Sequence, residues 1–213
     1  TLRTLGITPS LLCDDNTFVR RATLDICGRL PTIAETLGFV NSTDSDKVEQ
    51  LIDRLLSTEE YADFFARKWV LILRNTRKSP GRQMGSFAFH GWIRDRLHQN
   101  VAYSMLVEDL LTASGAIENN PALTWWREVP DTESRVEDAA QLFLGQRLQC
   151  ARCHHHPFEK WSQTDYYRLA AFFSKVIQKE GSTTDNPVFV SRIGPASAKH
   201  PKSGQALSPA GLD

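Results

Sequence analysis

Four cysteines in 213 residues are too few for a disulfide-stapled scaffold, and a chain of this length buries a sizeable core without staples. Charge of one sign is also missing. Lys+Arg 25 against Asp+Glu 25 leaves a formal net charge of zero, so no global field gathers nucleic acid or anionic lipid at the surface. No apolar run approaches the roughly 18–20 residues that cross a bilayer as a helix. Thr1-Leu2-Arg3-Thr4 lacks the basic, apolar and small-residue order of a signal peptide, and the chain is read as a piece of something longer. There is no internal repeat, heptad array or low-complexity block. What remains, at 41% hydrophobic and 23% charged, is an ordinary globular composition.

Up to about residue 177 the apolar residues recur at offsets of three and four, which predicts amphipathic helices joined by short turns. A first helix is expected from Asp15 to Cys27, stopped by Gly28 and Pro31. Thr32 and Glu35 form a capping box for a short helix through Val40. Val48, Leu51, Ile52, Leu55 and Leu56 mark a third helix with Ser45 or Asp46 as its cap, and Tyr61, Phe64, Phe65, Trp69 and Ile72 stripe a fourth. Arg74 to Gly85, basic and broken by Pro80, reads as an exposed loop. Further helices are expected at 86–99 and 103–114. Residues 116–130, with Trp125-Trp126, read as a connection whose aromatics need burial or a partner. A helix capped by Asp131 or Thr132 should run to Leu148, and a last one, with Ser162 and Asp165 as its capping box, to Ile177.

The expected fold class is therefore all-α: an irregular multi-helix domain over residues 1–177, followed by a short tail at 178–213. Four of the ten prolines and four of the twelve glycines fall in that tail. Val188, Phe189, Val190 and Ser191 alternate there and Pro201-Lys202-Ser203-Gly204 can turn the chain, so a β-hairpin or an irregular arm leading to a further C-terminal domain is expected.

Cys150-Ala151-Arg152-Cys153-His154 is the motif that carries chemistry. Two thiols three positions apart can form thioethers to the two vinyl groups on one edge of a porphyrin, and the adjacent imidazole reaches the iron. From this composition the pattern arises by chance about two times in a thousand. Zinc is the alternative, held by Cys150, Cys153, His154 and His156, although no second C-x-x-C completes a four-ligand set. A redox dithiol is a third reading, which a preceding strand would favour and a preceding helix does not. His155 and His156 stand too close in sequence to His154 to reach the opposite face of the same macrocycle. A sixth iron ligand, if the chain supplies one, comes from Met84, Met105, His90, His98 or His200.

Three stretches carry a family resemblance: Phe18 to Asp25 with Gly28-Arg29-Leu30-Pro31-Thr32, Leu148 to Phe158, and Asp165 to Phe173. The chain resembles, over nearly its whole length, the planctomycete-type cytochrome c-like proteins, a conserved domain of unknown function with a C-x-x-C-H motif. The resemblance implies haem c on Cys150 and Cys153 with His154 as axial ligand. It also implies one module of a larger secreted or envelope-associated bacterial protein, hence an extracytoplasmic location in periplasm or cell envelope. The family commonly has Asp between its two histidines, where this chain has His155, which adds a candidate ligand.

Three functions follow as expectations. The first is an electron-transfer domain whose partner is a redox protein or an adjacent domain, with no nucleic-acid partner and no transmembrane segment. The second is a zinc-bound or metal-free module binding protein or glycan, with Trp125-Trp126 in its surface. The third is an enzyme, peroxidase-like if the sixth position is open; no Ser-His-Asp, phosphate-loop or H-E-x-x-H pattern supports a hydrolase.

Overall fold

The computed structural model describes residue 2 and residues 4–75, 83–183 and 186–212, the side chains of 83 and 84 excepted. Nine α-helices and five short strands occupy the described residues: α1 (Asp15–Cys27), α2 (Ile33–Val40), α3 (Lys47–Leu56), α4 (Glu59–Ile72), α5 (Gln83–His98), α6 (Tyr103–Leu111), β1 (Gly115–Ala116), α7 (Leu123–Glu128), α8 (Thr132–Phe143), α9 (Gln163–Phe173), β2 (Val176–Thr183), β3 (Asn186–Ser191), β4 (Ala198–Lys199) and β5 (Ala206–Leu207). No helix among the described residues is long and apolar enough to cross a membrane.

The all-α expectation is wrong. About 51% of the structure is helical and 10% is strand, in two small antiparallel sheets, so the fold is a mixed one of helices and strands. One sheet has the order β1-β3-β2 and the other pairs β4 with β5. The last helix ends at Phe173, and Val176 and Ile177, expected inside it, open β2 opposite Ser191 and Val190. Polar Gln178, Lys179 and Glu180 on this edge strand hide its character from an apolar-pattern reading. In β3 the alternation is present, and Phe189 is the residue that turns into the core, with Val188 and Val190 half-buried. Gly115, just past the helix expected at 103–114, starts β1 with φ +99° and pairs with Phe189.

The helix starts follow local chemistry. Thr32 and Glu35 form their reciprocal capping box, as do Ser162 and Asp165, while Asp14, Thr58 and Asp131 each accept one N–H of the first turn. Asp46 precedes α3 without a side-chain cap bond. The expected loop from Arg74 to Gly85 lies mostly outside the described residues, and its last three residues form the start of α5.

Two apolar clusters hold the elements together. A small one joins α1, α2 and α3 through Val19, Cys27, Phe39, Leu51 and Leu55. The larger one runs through α4 to α9 and the first sheet. Trp125 and Trp126, expected in an open connection, lie on α7 at its centre, and the Trp126 ring stands 5.9 Å from Phe173 and 6.4 Å from Phe189. The end of α1 packs against α4. Gly28 there has φ +71°, and a Cβ on it would fall 2.3 Å from the Phe64 ring of α4, so only glycine allows this approach.

Arg135 of α8 is buried, and among the described residues no carboxylate is hydrogen-bonded to it. Its guanidinium donates to the carbonyls of Val129 (3.0 Å), Pro130 (2.8 Å) and Val176 (3.2 Å), and lies 5.1 Å from the centre of the Trp126 ring. Replacement by methionine fills much of the volume and leaves three carbonyls without their donor. Arg135→Met is expected to lower unfolding stability by about 3–5 kcal/mol in urea titrations. The exposed Arg94→Ala, which loses only a pair with neighbouring Asp95, leaves the midpoint unchanged.

Arg29 donates two hydrogen bonds to the Glu35 carboxylate, at 2.9 and 2.8 Å, and holds its pKa down to about 2, with help from the Thr32 N–H. Since the folded carboxyl titrates below its ordinary 4.5, the pair stabilises the fold above about pH 4.5, and that contribution drains away as pH falls toward 2. Glu35→Gln should therefore flatten the decline of the urea midpoint across that window while lowering the plateau above it.

Candidate motif loop between two helices

The helix expected to run to Leu148 stops at Phe143. Gly145 takes φ +65°, and the Gln146 N–H returns to the Ala140 carbonyl at 2.9 Å, closing the helix and reversing the chain. Residues Gln149–Arg152 then form a 3-10 turn. Its period of three residues decides where the motif points. Leu148 and Ala151, three apart, are fully buried, and Cys150 and Cys153, also three apart, are both exposed. All four cysteines are free thiols.

Hydrogen bonds fix the loop on both sides. Cys153 and His154 donate their backbone N–H groups to the Cys150 carbonyl, each at 3.3 Å. Gln163 at the start of α9 donates its amide to the Arg152 carbonyl at 2.8 Å, and the Trp161 indole donates to the Gln146 side chain at 2.9 Å. Beneath the turn, buried Tyr166 donates to Glu137 of α8 at 3.2 Å, and burial pushes its phenol pKa up. Burial also raises the Tyr167 phenol, with Arg152 pulling the other way and Glu133 and Cys153 close enough to add.

The histidines divide by what they bond. His154 is exposed, with Nδ1 2.6 Å from the His155 carbonyl. A carbonyl only accepts, so Nδ1 carries the proton and Nε2 keeps a free lone pair. His156 sits in the following turn, where its N–H donates to the Trp161 carbonyl at 2.8 Å and its Nδ1 accepts from Glu159 N (2.9 Å) and Phe158 N (3.3 Å). That ring is a turn cap. Among the described residues no three His, Cys, Asp or Glu side chains gather closely enough to hold a metal, so Cys150, Cys153, His154 and His156 are near in sequence but not drawn into one site.

The candidate sixth ligands are scattered. Met105 is exposed on α6; His90 is half-buried and His98 exposed on α5, which packs on α4 and α7. Met84 is the second residue of α5, and its side chain is outside the described residues. His200, half-buried in the turn between β4 and β5, has its ring 6.0 Å from that of Tyr167.

Residues 1–178 match PSCyt2, a protein of unknown function (DUF1549). The chain belongs to the PSCyt2 family. No curated protein and no solved structure matches it. In this PSCyt2 chain the matched segment takes in every helix, the motif loop and the first residues of β2.

Sequence reasoning missed a feature away from the motif. Val107, Leu111, Trp126, Phe143, Leu169 and Phe172 line an apolar groove of about 630 Å³ formed by α6, α8 and α9. Its one signal in the sequence was the excess of apolar residues on those helices. Motif residues are not among those lining it.

Cys13, Cys150 and Cys153 are exposed and Cys27 is buried among α1, α2 and α3. An aromatic disulfide reagent should therefore titrate three thiols rapidly and the fourth only on unfolding. Fewer than three fast thiols in fully reduced protein would contradict this arrangement.

Proposed function

We propose that this PSCyt2 domain is a c-type haem-binding electron-transfer module of a larger secreted or envelope-associated bacterial protein of the planctomycete cytochrome c-like kind. One observation carries the reading: two free, exposed thiols stand within and at the end of a 3-10 turn, and the imidazole that follows is held with Nε2 available. The donor set fits the group. Cys150 and Cys153 would each add S–H across a vinyl group, with no leaving group, and His154 would bind iron through Nε2, its Nδ1–H fixed by the His155 carbonyl as ligating imidazoles generally are.

Bound there, haem supplies a one-electron couple. The protein's own part is placement. Leu148 and Ala151 anchor the turn in the core, and Gln163 on α9 and Trp161 just before that helix brace the loop, while the exposed thiols would leave bound haem accessible to a redox protein or an adjacent domain. Thioether attachment matures outside the cytoplasmic membrane in the systems this family resembles, which supports an extracytoplasmic location. Zinc is disfavoured because His156 already uses Nδ1 as the acceptor for two backbone N–H groups.

Expression in a haem-c-maturing host tests the reading. The purified protein should show a Soret band and retain haem through acid denaturation, and its fast thiols should fall from three to one. Cys150→Ser with Cys153→Ser should abolish acid-stable haem, and His154→Ala should change the iron spectrum while keeping the thioethers. Stoichiometric zinc with no haem in any preparation would replace this function with a structural metal module.

A further inference from the structure

The segment ahead of α1 carries apolar side chains that the fold leaves uncovered. Leu11 and Leu12 are 97% and 99% exposed, and Leu2, Leu5 and Ile7 are exposed as well. None of the five belongs to either apolar cluster. The Ile7 N–H donates to the Leu2 carbonyl at 3.0 Å, which closes a turn and gathers Leu2, Leu5 and Ile7 on a short stretch of chain. Single apolar residues scattered over a surface are ordinary, whereas a run of this kind marks a contact surface.

The apolar groove of about 630 Å³ on α6, α8 and α9 is its complement. Leu144 and Phe172 line it while remaining exposed, so it is open to side chains from outside. Charge matches as well as polarity. Among the described residues Glu108 is the one charged group lining the groove, and its carboxylate has no hydrogen bond or ion pair, whereas neighbouring Asp109 is held by Arg96 at 3.1 Å. Arg3 is the one charged side chain in residues 1–13. An apolar turn bearing one cation thus faces an apolar groove bearing one anion, and opposite charges of this kind select a partner and fix its register.

Within one chain the two do not meet. The segment leads into α1, which packs on α2, α3 and α4, and none of its described residues lines the groove. We infer that the segment ahead of α1 seats in the groove of a second copy of this chain, each copy giving its segment to the other in a two-fold dimer. Leu2, Leu5 and Ile7 enter the groove, and Arg3 pairs with the partner's Glu108. Reciprocal exchange covers both segments and both grooves at once and leaves no open end, as an isologous interface does. Motif residues do not line the groove, so the dimer is independent of the haem c reading.

Sedimentation equilibrium over a dilution series tests it, with reductant present so that exposed Cys13 forms no cross-link. The mass should rise with concentration from 24.0 kDa toward twice that value. Leu2→Asp with Leu5→Asp on the segment, and separately Phe172→Asp in the groove, should each hold the protein at the monomer mass with an unchanged circular-dichroism spectrum. Arg3→Glu and Glu108→Arg should each weaken the dimer about tenfold, and the two together should restore it. A protein that stays monomeric throughout the series overturns the inference, including the case in which the segment folds onto its own groove, where Leu2→Asp with Leu5→Asp would raise the binding of an apolar fluorescent dye without changing the mass. A dimer that none of these variants weakens overturns it equally, since the copies then meet through another face.

Discussion

The Arg135 guanidinium is the point on which the larger cluster turns. Its donors reach the corner between α7 and α8 and, 41 residues further along the chain, the first carbonyl of β2. A charge is expensive to remove from water, and burial lowers this group's pKa accordingly. Three carbonyls and the face of Trp126 offset that cost only in one arrangement of these segments. The clamp thus fixes the start of α8 relative to the strand that follows α9, and the motif loop is the chain that joins the other ends of those two helices.

A second buried polar contact positions the neighbouring helices. The Asp138 carboxylate, on the same helix as Arg135, accepts from the Trp125 indole at 2.8 Å and from Arg74 at 2.6 Å. Arg74 reaches it from a left-handed conformation, φ +57°, directly after α4. Such a backbone is unfavourable for a residue with a Cβ and persists where surrounding contacts over-determine it. So α8 is indexed on one side by a cation bonded to carbonyls and on another by an anion bonded to an indole and a guanidinium. Apolar packing alone would let the helix slide by a turn; directional bonds of this kind do not.

Local chemistry was legible in the sequence and tertiary chemistry was not. Thr32 with Glu35, and Ser162 with Asp165, announce helix starts because every partner lies within three residues. Strand character at Val188 to Ser191 and the turn at Pro201 to Gly204 were legible, but β1 was missed because its pairing is distant: Gly115 meets Phe189 across 74 positions, and β1 is two residues long, too short for any periodicity. Trp125 and Trp126 looked like loop residues because α7 has six residues between Pro121 and Pro130. The motif was legible as a set of residue types. Its exposure, the brace from Gln163, and the opposite tautomers of His154 and His156 all depend on partners that spacing does not name.

The motif's spacing has a structural meaning beyond the chemistry it suggests. In an α-helix, residues three apart lie about 60° from eclipsed, whereas in a 3-10 turn they coincide. The loop from Leu148 to Cys153 uses that coincidence twice: positions 148 and 151 face the core, and positions 150 and 153 face solvent. Had α8 continued to Leu148 and through the motif, the carbonyls of the two cysteines would be tied into its ladder, and Leu148 and Ala151 would be offset around the helix instead of eclipsed. Stopping the helix at Phe143, with Gly145 to reverse the chain, is what lets one short turn bury Leu148 and Ala151 and leave both thiols exposed. Ala151 follows from the same constraint, since the buried position between the cysteines lies against the α9 side of the core, where a larger side chain would lift the turn and separate the thiols from the brace that aligns them.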